Sequence, residues 1–424
     1  MAALVAGVAL VLSLVLPLAF KPWLVRLGVL DIPSERSSHT VPTIRGLGIT
    51  VALAAAAAML TALFAPPAAP ADRWTLIVCV LVMAAAAAVG WIEDLRGLGI
   101  RIRAAVQLGL GLLATAALAL LAGGYAYWWI PAGAVAVAAY INVANFMDGI
   151  NGISGSHGLV VGGFYALAGH LTGHSWLVYA GLAIAGSFAG FLPWNLGRAP
   201  VFLGDVGSYL LGGGISVTAV AAFLAGVPVE YIFAPVLIYL ADTFVTLIRR
   251  IVAGERWYAS HRQHAYQRLT IVGLSHLQAT AVVSAATVAT GMLGLLAADG
   301  RPGVSAAAAV GCAVLVLLYL RTPTIFARLI KRRGRRPVGS GLTSISCRIL
   351  VRRTTVPLFR WLPDQSLPAE KTEECTTIPA LTAAPRRRPG SPHPAPPHRR
   401  GCGFWPPAPQ RPPSWWQWWR SFPV

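Results

Sequence analysis

The chain has 424 residues, of which 56% are hydrophobic and 12% are charged, and its mean hydropathy is +0.64. Soluble globular proteins carry roughly a quarter charged residues, so this composition excludes that class. The formal net charge of +19 does not indicate a nucleic-acid-binding protein, because the basic residues lie in short loops and in the carboxyl-terminal tail rather than in a folded basic domain. The predicted fold class is therefore all-α, a polytopic integral membrane protein.

Apolar runs long enough to cross ~30 Å of hydrocarbon recur from the second residue onward. They predict about eleven transmembrane helices, near residues 2–20, 46–65, 75–92, 104–122, 127–146, 156–171, 176–193, 208–226, 230–248, 277–298 and 303–320. The first run lacks the basic start of a signal peptide and is interpreted as a retained span. The sixth is short and rich in glycine, and without it every later span would reverse its orientation.

Arginine and lysine are divided unequally between alternate loops when all of these spans are counted. One set of loops holds nearly all of the cations, and the opposite set holds only Arg73 and Arg301. By the positive-inside rule, the amino terminus is predicted to be outside and the carboxyl terminus inside.

The chain is predicted to consist of a membrane-embedded domain, residues 1–330, and a basic tail, residues 331–424. The tail is rich in Pro, Arg and Trp and shows no helical or strand period, so disorder is expected. Its terminal WWQWW motif would suit a lipid interface, and an accidental extension of the reading frame is the alternative. No chemistry is assigned to residues 337–424.

Five polar segments fall on the side predicted to be cytoplasmic. The first, residues 31–48, carries Arg36, His39 and Arg45, whose side chains can donate to phosphate. The second places Glu93 beside Asp94 at the end of the third span. Neighbouring carboxylates raise each other's pKa unless a cation or metal compensates, so the pair indicates metal binding or proton transfer. A helix end whose acids pair with nearby arginines is the alternative.

The third segment, INVANFMDGINGISG at residues 141–155, ends an apolar span in carboxamides, a carboxylate and glycines. Hydrocarbon tolerates such a backbone only where it lines a watery cavity or is held by protein. Asn142, Asn145 and Asp148 are therefore candidates for a polar site at the membrane surface. An Asn/Gly-rich turn after a helix is the alternative.

The fourth segment, residues 193–208, contains Asn195 and, between two glycines, Asp205. A single carboxylate on a backbone that can approach a ligand closely is typical of Mg²⁺ held together with substrate phosphates. A helix-capping Asp is the alternative.

The fifth segment, residues 249–276, interleaves cations and aromatic side chains around Arg262 and His264. This pattern fits an anionic, partly planar ligand such as a nucleoside diphosphate. Asp242, about two turns inside the ninth span, would be costly at that depth and is expected to face the cavity.

Together these segments resemble the polyprenyl-phosphate N-acetylhexosamine-1-phosphate transferase family, of the glycosyltransferase family 4 type, over residues 1–330. The first segment is similar to DxPxxRxxHxxPTPRxGG, the third to NxxNxxDGxDGL and the fourth to F-[LM]-G-D-x-G-S. Asp242 with the following Arg pair resembles DTxxxxxRR. The family's Asp pair appears here as Glu93 and Asp94, and Tyr266 and Gln267 stand where other members carry His. The variant SHRQHAYQRL is similar to the branch that starts O-antigen-type glycans of lipopolysaccharide.

The resemblance implies transfer of a sugar-1-phosphate of the N-acetylhexosamine type from a UDP-sugar to undecaprenyl phosphate with release of UMP. The reaction would take place at the cytoplasmic face of the bacterial inner membrane. The implied cofactor is Mg²⁺ or Mn²⁺ with Asp205 as its ligand, and the implied role of Asp94, helped by Glu93, is to orient or deprotonate the lipid phosphate. Substrate binding is implied for Arg36, His39, Arg45, Asn142, Asn145, Asp148, Asn195, Arg262 and His264.

The expected partners are the UDP-sugar, the lipid acceptor and the bilayer, with no nucleic acid. The sequence leaves open which sugar is used and whether the chain forms a homodimer. The alternative function is a non-enzymatic transporter or flippase of an anionic lipid. Such a protein would be expected to show internal repeats with interrupted spans, and no convincing repeat is found.

Overall fold

The computed structural model describes residues 1–31, 43–65, 70–197, 201–255, 261–298 and 300–334, so the predictions for the tail beyond them lie outside the described residues. The helices are α1 (Ala2–Arg26), α2 (Gly48–Ala62), α3 (Pro70–Arg96), α4 (Ile100–Ala122), α5 (Ile130–Met147), α6 (Ile153–Thr172), α7 (Ser175–Leu196), α8 (Gly204–Leu224), α9 (Val229–Phe233), α10 (Leu237–Val252), α11 (Ala265–Ile271), α12 (His276–Ala297) and α13 (Pro302–Gly334). A short antiparallel hairpin pairs β1 (Leu30–Asp31) with β2 (Thr43–Ile44). The predicted all-α class is confirmed.

Helical segments occupy the positions of all the predicted spans. Nine segments in the described part of the chain are long and apolar enough to cross a membrane by length and composition, with α9 and α10 forming one of them. Two predicted spans are not among these nine. Helix α2 has 15 residues and is only about 22 Å long at 1.5 Å per residue. Helix α6 has 20 residues, but histidines and glycines lower its hydropathy.

Connectivity nevertheless requires α2 and α6 to run from one end of the bundle to the other. The start of α2 and the end of α3 both contact the start of α8, so the chain between them must leave that end and return to it. The end of α5 contacts the start of α8 as well, and α6 and α7 connect the two. This path is the alternation that the eleven-span prediction assumes.

Helix α8 lies at the centre of the bundle. In the most apolar 18-residue stretch of α8, 83% of the residues are buried, compared with 11% in the corresponding stretch of α13. Small residues let neighbouring helices approach it closely. A Cβ added to Gly48, at the start of α2, would lie 2.5 Å from the Cα atom of Gly207 in α8. The start of α8, where the predicted site residue Asp205 lies, is therefore held directly against other backbone.

Candidate active site

Arg45, directly after β2, joins two carboxylates from different helices. Its Nε lies 2.7 Å from Oδ1 of Asp94, and its Nη2 lies 2.8 Å from Oδ2 of Asp205. Burial lowers the pKa of the Arg45 guanidinium, but the charges of Asp205 and Asp94 raise it by more, so the net change is upward. The planar fork of an arginine can serve two carboxylates at once, which a lysine cannot do in the same way. Arg45 therefore links the end of α3 to the start of α8.

Asp94 lies in the last turn of α3, and its side chain is 0% exposed. Besides Arg45, its carboxylate accepts hydrogen bonds from the backbone N–H groups of Asp205 at 3.0 Å and Val206 at 2.9 Å. These N–H groups have no acceptor within α8, and the dipole of that helix favours a negative charge at its start. Asp94 thus caps α8 from a neighbouring helix.

Asp205, the second residue of α8, keeps 16% of its side chain exposed. Asn145, near the end of α5, donates from Nδ2 to Oδ1 of Asp205 at 2.6 Å and to Oγ of Ser208 at 3.1 Å. Each carboxylate oxygen of Asp205 therefore has one described donor and retains further lone pairs. We call Arg45, Asp94, Asn145, Asp205 and Ser208 the Asp205 cluster.

Backbone hydrogen bonds fix the frame of this cluster. Residues 44–48 and 202–203 are joined by N–H···O contacts of 2.8 to 3.2 Å. Gly204, which follows, has a φ of +75°. A Cβ added there would lie 2.6 Å from Oδ2 of Asp94. Only glycine combines this dihedral angle with so close an approach, so the sequence at this position allows Asp94 to reach the start of α8.

The turn between α5 and α6 carries Asp148, which is half-buried. Burial, the largest cause, and the nearby charge of Asp205 together raise the pKa of Asp148 to about 7, although a 2.7 Å hydrogen bond from the hydroxyl of Ser154 partly offsets them. Asn195 supports the same turn. Its Oδ1 accepts from the N–H of Gly152, and its Nδ2 donates to the Val201 carbonyl at 2.7 Å. Both ends of the Asn195 amide thus bond to backbone.

Glu93 and Asn142 have partners on α4 instead. Glu93 accepts hydrogen bonds from Nη1 of Arg103 at 2.9 Å and from the N–H of Leu98 at 2.7 Å. Asn142 donates to Oε1 of Gln107 at 2.6 Å. Among the described hydrogen bonds, those of Glu93 and Asn142 therefore go to residues outside the Asp205 cluster.

Asp242, in α10, is fully buried. Its carboxylate accepts from the Tyr319 hydroxyl at 2.7 Å and from the N–H groups of Ala265 at 2.9 Å and Tyr266 at 3.3 Å, and Nδ1 of His264 lies 3.3 Å away. The expectation that Asp242 faces a cavity is wrong, because donors from the protein satisfy the buried charge instead.

His264 lies just before α11 and is 3% exposed. Its ring stacks between those of His261 and Tyr266, at centroid distances of 5.0 and 5.7 Å. Arg262 is exposed. The contacts described for His264 join it to Asp242 and its surroundings rather than to the Asp205 cluster. Arg36 and His39 lie in residues 32–42, outside the described part of the chain.

Several residues of these networks were not predicted as site residues. Ser208 belongs to the same FLGDVGS motif as Asp205, which was a usable signal. Arg103 and Gln107 are four residues apart at the start of α4, a spacing that places them on one helix face. Nothing in the sequence indicated a role for Tyr319, because a single tyrosine in an apolar span is common.

The carboxylate oxygens of the Asp205 cluster are the kind of ligand that binds Mg²⁺. This ion is usually bound through one or two carboxylates, with substrate phosphates and water completing its shell. Asp205 supplies one partly exposed carboxylate. Among the residues that the structure describes, no group of three or more His, Cys, Asp and Glu side chains could hold a metal ion. Oxygens of a bound phosphate and water would therefore have to supply most of the ligands.

Comparison with known proteins identifies relatives of this chain, and the matched range includes the site. The model of the family "Glycosyl transferase family 4" matches residues 76–223, a range that includes Asp94, Asn145 and Asp205. The chain is 29% identical over 305 residues to the decaprenyl-phosphate N-acetylglucosaminephosphotransferase of Mycolicibacterium smegmatis, covering 61% of this chain and 73% of the relative. It is 25% identical over 297 residues to a Bacillus subtilis protein named "Probable undecaprenyl-phosphate N-acetylglucosaminyl 1-phosphate transferase", covering 65% and 80%.

A shorter stretch matches a third kind of relative. The chain is 36% identical over 122 residues to the phospho-N-acetylmuramoyl-pentapeptide-transferase of Clostridium botulinum, which covers 29% of this chain and 36% of the relative. The three relatives share, by their names, the transfer of a phosphorylated sugar unit.

Proposed function

The chain belongs to the polyprenyl-phosphate N-acetylhexosamine-1-phosphate transferases of glycosyl transferase family 4, and we propose that it transfers a sugar-1-phosphate from a UDP-sugar to undecaprenyl phosphate. It is a multi-pass membrane enzyme of the sugar-phosphate transferase type. The UDP-sugar donor, the release of UMP, the requirement for Mg²⁺ and the start of an O-antigen-type glycan are parts of the proposal.

The observation that carries the proposal is the convergence of four separate segments at one end of the bundle. Arg45 comes from the β2–α2 connection, Asp94 from the end of α3, Asn145 from the end of α5 and Asp205 from the start of α8. A cation, a partly exposed carboxylate and amide donors in one place can bind a metal-complexed diphosphate.

In the proposed reaction, an oxygen of the polyprenyl phosphate attacks the β-phosphorus of the UDP-sugar. A new P–O bond forms, the bond to the bridging oxygen breaks, and UMP leaves with that oxygen. The lipid phosphate is already an anion, so catalysis rests on positioning and charge neutralisation. Mg²⁺ bound through Asp205 would neutralise charge on the diphosphate.

The proposal gives the remaining residues separate tasks. Arg45 supplies a fixed positive charge beside the phosphates, and Arg262, which is exposed, meets the donor from the fifth segment. Asn145 and Asp148 hold the nucleotide. The side chain of Asp94 is fully buried and has three donors, which supports a positioning role at the start of α8 rather than proton abstraction.

The assay that tests this function uses the full chain in nanodiscs with undecaprenyl phosphate, Mg²⁺ and a panel of UDP-sugars. We expect stoichiometric formation of UMP and a lipid diphosphate sugar with at least one N-acetylhexosamine donor. A transporter or flippase would move anionic lipid between leaflets and form no UMP with any donor. That result would refute the proposed function.

We also propose that the Asp205 cluster faces the cytoplasm, with the amino terminus outside, in the bacterial inner membrane. In a cysteine-free background, single cysteines at Gly99 and Gln263 are expected to react with an impermeant thiol reagent only after the inner face is opened. A cysteine at Ala225, in the α8–α9 connection, is expected to react in intact cells. Gly99, Ala225 and Gln263 are all exposed.

Labelling of the Gly99 or Gln263 probe in intact cells would contradict this orientation. It would place the cluster on the face where a cytoplasmic nucleotide-sugar does not reach it. The Ala225 probe serves as the matched control for expression and reagent access, because it tests the same chemistry at the other end of α8.

A further inference from the structure

Asp242 connects three helices that are far apart in the sequence. It lies in α10, its carboxylate receives the Tyr319 hydroxyl of α13 at 2.7 Å, and it also receives the first N–H groups of α11, from Ala265 at 2.9 Å and Tyr266 at 3.3 Å. The first N–H groups of a helix have no acceptor inside it. A fully buried carboxylate in this place therefore fixes where α11 begins and how it is turned.

Tyr266 continues this connection toward the proposed site. Its side chain is fully buried, and its hydroxyl donates to the carbonyl of Phe146 at 2.9 Å. Phe146 lies in the last turn of α5, where carbonyl groups have no N–H donor from within the helix. It is the residue directly after Asn145, which bonds to Asp205.

Steric contact strengthens the same link. A Cβ added to Gly149, in the turn after α5, would clash with the Tyr266 hydroxyl, and it would lie 3.2 Å from Nε2 of Gln267. Gln267 in turn accepts from the N–H of His264 through Oε1 at 3.3 Å. The turn that carries Asp148 therefore rests on α11 with no room for a larger residue.

We infer that Asp242, Tyr319 and Tyr266 are positioning residues that hold the end of α5, and with it Asn145 and Asp148, in place for the nucleotide donor. This inference rests on the proposed function for the donor's identity. All three residues lie outside the range 76–223 that the family model matches. By the resemblance to the family, Tyr266 stands where other members carry histidine, whereas Asp242 lies in the DTxxxxxRR pattern.

The test compares Tyr266→Phe and Tyr319→Phe, each of which removes one hydroxyl. Tyr165→Phe is the matched control, because Tyr165 is also a buried tyrosine whose hydroxyl donates to a backbone carbonyl, that of Ile232 at 3.2 Å. Amide hydrogen exchange of residues 145–152 is measured on the full chain without substrate. We expect exchange about fivefold faster in Tyr266→Phe and Tyr319→Phe, as for the loss of one hydrogen bond, and unchanged in Tyr165→Phe.

The kinetic readout separates positioning from a general loss of stability. The KM for the UDP-sugar is expected to rise about fivefold in both variants, with the KM for polyprenyl phosphate unchanged. The double variant should be no worse than Tyr266→Phe alone, because Tyr319 acts through Tyr266. If one variant does not fold, the other still decides the question.

The inference would be overturned if residues 145–152 exchanged no faster in Tyr266→Phe and Tyr319→Phe than in Tyr165→Phe. It would also be overturned if the KM values for the UDP-sugar and for polyprenyl phosphate rose equally. Failure of the proposed function is distinguishable from this result. A wild-type chain that forms no UMP would refute the function, whereas the exchange measurement needs no substrate and reports on the contact between α11 and the end of α5 in either case.

Discussion

Asp205→Asn is expected to lower UMP release by roughly 100- to 1000-fold, as expected for removal of a group that stabilises charge in the transition state. Asp205 is the carboxylate of its cluster that retains exposure, 16%, whereas Asp94 has none. Asparagine keeps the shape of the side chain but supplies no negative charge for Mg²⁺. Excess chelator should give the same loss in the wild-type chain. The measurement is the initial rate of UMP release at saturating substrates.

Asp72→Asn is the control for this substitution. Asp72 lies in the first turn of α3, at the end opposite Asp94, and the same chemical change there should leave the rate of UMP release unaltered. Thermal unfolding followed by tryptophan fluorescence shows whether each variant is folded. A folded Asp205→Asn protein with wild-type activity, or full activity in excess chelator, would refute the metal assignment.

Arg45→Gln is expected to lower activity about 100-fold and the free energy of unfolding by about 1–3 kcal/mol. The substitution removes the group that bonds both carboxylates, at 2.7 and 2.8 Å. It leaves the buried Asp94 with only its backbone donors and leaves two carboxylates near each other without a cation. Arg45→Lys should recover part of the loss, since the charge returns without the fork.

Arg101→Gln provides the matched comparison for Arg45→Gln. Arg101 is exposed in the first turn of α4, and exposed charges contribute little to stability. We expect unchanged activity and an unfolding free energy within about 0.5 kcal/mol of the wild type. Equal effects of Arg101→Gln and Arg45→Gln would mean that the bridge between the carboxylates has no special role.

The sequence was sufficient to predict the helices and the end of the bundle that carries the polar residues. Apolar runs and loop arginines are properties of single segments, so they can be identified without knowing how helices pack. The location of Asn145 and Asp205 at the same end of the bundle follows from the same information, because both residues lie at helix ends on the side predicted to be cytoplasmic.

Pairwise geometry within the site could not be predicted in this way. Glu93 and Asp94 are adjacent in sequence, but successive residues of a helix point about 100° apart. One carboxylate therefore meets Arg103 of α4 and the other meets Arg45. Adjacency in the chain suggested a shared role, whereas the helix directs the two side chains to different neighbours.

Asp242 illustrates a second limit. Its depth within an apolar run requires that the charge be compensated, but the sequence does not say whether a cavity or the protein provides the donors. The Tyr319 hydroxyl comes from 77 residues away and the N–H of Ala265 from 23 residues away. Only the packing of α10, α11 and α13 determines that the protein supplies them.

The most direct test of the central claim follows the β-phosphorus of the donor. UDP-N-acetylglucosamine labelled with ³²P at the β-phosphate is incubated with the full chain, undecaprenyl phosphate and Mg²⁺, and the lipid and aqueous phases are separated. We expect the label to enter the lipid phase together with the sugar and unlabelled UMP to form in equal amount, and we expect neither product with Asp205→Asn. Retention of the label in aqueous UDP while the sugar enters the lipid phase, or no transfer with any UDP-sugar, would contradict the central claim.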